Sequence, residues 1–114
     1  MSNANYPRLI LPTGFDERRA FETPLRGYLS EACVETEDGL RYPVFFVDPV
    51  RLAQDLESVV QLGEVCLAEP GMIVVPEVNL ETMEKAVQAL WREGFFSHLK
   101  LLVPAAKNGF IERA

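Results

Sequence analysis

Val44, Phe45, Phe46 and Val47 follow one another with no polar residue between them. Side chains of an extended chain leave alternately to opposite faces, so a strand holding these four is apolar above and below. A strand on the outside of a protein keeps one face wet and alternates in polarity; this one cannot. The run predicts a central strand, roofed on one side by the chain's own helices and covered on the other by something else. A partner subunit is the first candidate for that second cover.

The surrounding residues place the strand in a hairpin. Between Arg26 and Asp48 the chain alternates, with Tyr28, Ser30, Ala32 and Val34 on the side expected to face the core and Leu29, Glu31, Cys33 and Glu35 on the other. Glu37-Asp38-Gly39 supplies the turn, since Asp-Gly readily adopts positive φ, and the return strand runs from Leu40 to Val47. Pro43 has no amide hydrogen for a ladder, so that side of the strand is expected to meet solvent or a bulge.

Two helices announce their own starts. At Asp48-Pro49 a carboxylate can cap the first-turn amides, and proline at the first helical position gives up a donor the helix does not use. Leu52, Ala53, Leu56, Val59 and Val60 then recur at helical spacing, with Arg51, Gln54, Asp55, Glu57 and Ser58 on the polar side and Gly63 as the stop. Asn79 caps a second helix carrying Leu80, Met83, Val87, Leu90 and Trp91 on one stripe and ending at Gly94.

Residues 64–78 are rich in β-formers on both sides of Glu69-Pro70-Gly71, which reads as a second hairpin in preference to one bent strand. Phe95, Phe96, Leu99, Leu101, Leu102 and Val103 suggest a last strand or a loop that plugs the core. Residues 1–25, with prolines at 7, 12 and 24, read as an arm or edge strand followed by about one helical turn, ahead of a single domain over residues 26–114. Together these elements predict an α+β fold: a two-layer sandwich with a mostly antiparallel or mixed sheet of about five strands and two amphipathic helices on one face.

Composition narrows the function by exclusion. The chain has 114 residues, 48% of them hydrophobic and 25% charged, enough for one ordinary core. Its formal net charge of −6 opposes nucleic acid, and the paired cations Arg18-Arg19 directly follow Asp16-Glu17. No apolar run is long enough to cross a bilayer and no export signal is evident, so a cytoplasmic protein with reduced cysteines at Cys33 and Cys66 is expected.

No residue pattern calls for a cofactor or a metal. His98 is the single histidine, Glu35, Glu37 and Asp38 suit a solvated turn better than a calcium loop, and the glycines form no phosphate-binding signature. No Gly-x-Ser-x-Gly elbow presents a nucleophile. The features point away from catalysis, toward a protein-protein interaction or regulatory protein that self-associates as a homodimer through an aromatic sheet face. Phe45, Phe46, Phe95 and Phe96 are the interface candidates, because adjacent residues of a strand cannot both enter one core. Neutralisation of a basic protein, such as a toxin, fits the same acidity. The alternative is a small enzyme or small-molecule-binding domain with a cleft at the strand ends, built from Tyr42, Arg51, Glu69 and Glu77.

Overall fold

The computed structural model describes residues 6–98. In order these form β1 (Arg8–Ile10), α1 (Glu17–Arg26), β2 (Tyr28–Glu35), β3 (Arg41–Val47), α2 (Pro49–Gln61), β4 (Met72–Val74), α3 (Leu80–Arg92) and a short 3-10 turn at Phe95–His98. The fold is α+β, with one mixed four-stranded sheet in the order β1-β2-β3-β4. β1, β2 and β3 are antiparallel neighbours, and β4 lies parallel to β3. Of the last strand or core-plugging loop expected after α3, Phe95 and Phe96 belong to the 3-10 turn, and Leu99, Leu101, Leu102 and Val103 lie outside the described residues.

Both expected helix starts cap as their sequences imply. Asp48 accepts from the Arg51 amide at 2.8 Å and Asn79 from the Thr82 amide at 2.7 Å, so each side chain occupies an amide that the helix leaves unpaired. The N-terminal segment is more regular than its prolines suggest. Asp16 caps α1 through the Arg19 amide and left-handed Gly27 closes it, so a three-turn helix survives with Pro24 in its last turn. β1 is hydrogen-bonded into the sheet, beside the second half of β2, which makes residues 8–10 a strand of the domain.

The core lies on one face of the sheet. Leu29, Val34, Val44, Phe46 and Ile73 meet Met83 and Val87 of α3, and Phe96 of the 3-10 turn closes the end. α2 lies across the opposite face, above Tyr28, Phe45, Val47 and Met72. The expected arrangement of two helices on one face is therefore corrected: β3 is apolar on both sides, and the chain sends one helix to each.

The alternation expected for β2 changes phase at a bulge. Leu29 pairs with Phe46 and Ala32 with Val44, so Ser30 and Glu31 together stand opposite Phe45, with Glu31 at φ +64°. Ala32 and Val34 face the core as expected, whereas the extra residue turns Tyr28 and Ser30 to the other face and brings Leu29 inward. A second correction concerns residues 64–78. Only Met72–Val74 becomes a strand, while Val65 and Cys66 lie exposed in the loop that follows α2. α2 crosses the sheet from one end to the other, so the chain re-enters parallel to β3 and leaves no slot for a hairpin partner.

Pro70-Gly71 still makes a turn, and it is pressed against β3. The Phe45 amide donates to the Gly71 carbonyl at 3.0 Å, and a Cβ at Gly71 (φ +81°) would stand 2.4 Å from the Pro43 carbonyl oxygen. Alternate residues of a strand direct their amides the same way. Pro43 therefore has its nitrogen on the β4 side, before the first β3–β4 pair, so its missing amide costs that ladder nothing.

At the turn of the β2–β3 hairpin, Gly39 is left-handed and the Thr36 hydroxyl donates to the Asp38 carboxylate, holding that carboxyl below its usual range. Nearby, Glu35 ties three strands together. It accepts from Arg8 of β1 at 2.8 Å and pairs with Arg41 of β3 at 3.6 Å. The hydrogen bond from Arg8 dominates in holding the Glu35 carboxyl below its ordinary 4.5. A depressed carboxyl stabilises the fold above its ordinary value and loses that contribution as pH falls through the folded value. Urea unfolding of wild type and Glu35→Gln, from about pH 6 down to about pH 3, is expected to show a stability gap that closes toward acid. Parallel curves would contradict the role given to this carboxylate.

A candidate binding hollow beneath the second helix

α2 is pinned at its start and stands away from the sheet beyond it. The Asp48 amide donates to the Gly27 carbonyl at 3.0 Å, fixing the helix entrance beside the beginning of β2. Toward the sheet α2 presents Arg51, Leu52, Asp55, Ser58 and Val59, a mixed face with only two apolar side chains, and no residue of the helix is fully buried. Its sequence stripe is split: Leu52 and Val59 turn inward, whereas Ala53, Leu56 and Val60 remain exposed. A polar underside cannot interdigitate with Phe45 and Met72, and a hollow of about 490 Å³ separates the two layers.

Tyr28, Phe45 and Met72 form the floor of this hollow, with Leu67, Glu69 and Pro70 at its side. Tyr28 meets Phe45 edge-on at 6.4 Å between ring centres. The Arg51 guanidinium sits 4.5 Å from the centre of the Tyr28 ring, and its Nε donates to Asp55 at 3.1 Å. A cation is thus already held between an aromatic face and a carboxylate. Glu31 and Glu69 also line the hollow, and among the described residues neither side chain forms a hydrogen bond or ion pair. Three carboxylates against one guanidinium leave the walls net acidic.

The structure brings together two of the four residues expected to form a cleft. Arg51 and Glu69 both line the hollow. Tyr42 faces the core side of the sheet, 5.7 Å from Phe96, and Glu77 is exposed beyond the far end of β4. Tyr42 alternates with Phe45 along β3, which puts it on the wrong face, and the length of β4 separates Glu77 from Glu69. Of the aromatic pairs, Phe46 and Phe96 are sealed inside the protomer at 0% and 1% exposure and have no surface to offer a partner. Phe45 and Phe95 are half-buried, Phe45 on the floor of the hollow and Phe95 edge-on to Phe96. Tyr28 is the floor residue that sequence alternation missed, because the bulge reversed its direction.

Among the described residues no group of three or more histidines, cysteines or acidic residues could hold a metal, and no helix is long and apolar enough to cross a membrane. Both cysteines are free. Cys33 is half-buried, and burial pushes its thiol up; Cys66 is exposed. Compared with known proteins, the chain matches no family model, no curated protein and no solved structure.

The lining includes the hydroxyls of Ser30 and Ser58 beside its charged groups. Its rim carries strain. Glu31 holds a left-handed conformation that costs a residue with a Cβ about 1 kcal/mol relative to glycine. Glu31→Gly is expected to raise stability by about 1 kcal/mol in chemical denaturation. An unchanged or lowered stability would show that the bulge is not strained.

Proposed function

We propose that this is a non-catalytic binding protein that acts through contact with another protein chain and self-associates along the outer side of α2. The observation carrying this reading is the direction of the α2 stripe. Leu56 and Val60 are 43% and 53% exposed, Ala53 lies on the same side, and the loop beyond leaves Val65 at 92%. A globular protein ordinarily turns such a stripe toward its own core, and a contiguous apolar surface is the usual mark of a protein interface. A two-fold contact lets one stripe meet its own copy, so no second surface has to be complementary. The partner face thus moves from the aromatic sheet surface expected from sequence to the helix that covers it. The net charge of −6 would steer the same molecule toward a basic partner in a mixed complex.

Size-exclusion chromatography with light scattering is expected to give a mass that rises from monomer to dimer with concentration. In Leu56→Glu/Val60→Glu the dimer should weaken by roughly tenfold or more, with far-UV circular dichroism unchanged because both positions are solvent-facing in the protomer. A wild-type chain that is monomeric even at about 0.1 mM would contradict self-association.

A further inference from the structure

We infer that the hollow beneath α2 is a binding site for a small organic cation with an apolar body, such as an aryl-alkyl amine. This inference does not depend on α2 forming an interface. Its volume of about 490 Å³ falls within the range of small-molecule sites. Its floor supplies aromatic and aliphatic surface from Tyr28, Phe45 and Met72, so an apolar body gains burial that the protomer itself leaves unfilled.

Charge complementarity selects the head group. The resident cation shows the recognition mode, with Arg51 on the Tyr28 face and tied to Asp55. A second set of the same groups stands unused. Phe45 is half-buried, and the two strands beside it supply the flanking carboxylates: the Ser30-Glu31 bulge opposes Phe45 on β2, and Glu69 leads into Met72, its partner on β4. Both carboxylates line the hollow, both are solvent-exposed, and among the described residues neither side chain forms a hydrogen bond or ion pair. An ammonium group near the Phe45 ring would gain attraction from the ring and from two carboxylates, whereas an anion would be repelled by them.

The strain at Glu31 points the same way. A bulge that needs a left-handed residue is most easily made with glycine, and this chain carries a carboxylate there, on the wall of this hollow.

Tryptamine, its neutral relative tryptophol and the anion indole-3-acetate share one ring system and differ in head-group charge, and they can be titrated into the isotope-labelled full chain by NMR. Tryptamine is expected to bind saturably, shifting Phe45 and Met72, with roughly tenfold or greater preference over tryptophol and weakest binding by indole-3-acetate. Glu31→Gln/Glu69→Gln should bring tryptamine down to the level of tryptophol, with the dispersion of the amide spectrum retained. Equal binding of all three compounds would overturn the inference by showing an apolar hollow indifferent to charge, as would shifts confined to residues outside the hollow or no saturation by tryptamine. Repeating the titration on the Leu56→Glu/Val60→Glu chain separates this site from self-association: undiminished tryptamine binding there is expected, and its loss would contradict a site contained within one protomer.

Discussion

Phe45 and Phe46 leave adjacent positions of β3 in opposite directions, and the two sides of the molecule differ in how well each ring is covered. Phe46 is sealed beneath α3, among Leu29, Val34, Val44, Ile73, Met83 and Val87. Removing a side chain of that size from water contributes about 2 to 3 kcal/mol, and its neighbours gain similarly from the same closure. Phe45 receives a helix too, but one whose underside carries Arg51, Asp55 and Ser58, so its burial stops halfway. One sheet face became a dry core and the other a lined hollow. The difference traces to the side chains that each helix presents.

The Ser30-Glu31 bulge is the device that makes this asymmetry possible. Without the extra residue, strict alternation would place Tyr28 and Ser30 under α3 and put Leu29 beneath α2. The phase change instead places Leu29 against Phe46 and releases Tyr28 to stack under Arg51. The bulge also sets Glu31 on the wall of the hollow, where its carboxylate has no partner among the described residues. Local strain in β2, the mixed underside of α2 and the unfilled space between them are thus parts of one arrangement.

Local signals were legible in the sequence wherever a short stretch controlled its own geometry. Asp48-Pro49 and Asn79 cap the helices they were expected to start, Asp38-Gly39 turns the hairpin, and the apolar run in β3 marks the centre of the sheet. What escaped depended on residues distant in sequence. Nothing near Ser30 signals a bulge, because the need for one arises from matching Leu29 to Phe46 across the sheet. The parallel return of β4 follows from where α2 ends, which cannot be read from Glu69-Pro70-Gly71. Of the expected cleft, Arg51 and Glu69 meet because one lies on the roof and the other on the approach to β4, while Tyr42 has the wrong parity along β3. The Pro24 signal was real but local, and the two caps of α1 outweighed it.

Amide hydrogen exchange, read residue by residue at a concentration where the chain is monomeric, tests the unequal cover most directly. Amides of α3 should exchange only with global unfolding, whereas the middle of α2, though a helix of the same length, should open locally and exchange at least about 100-fold faster. Equal protection of the two helices would contradict the account, because α2 would then be sealed to the sheet as firmly as α3 and no hollow would lie beneath it.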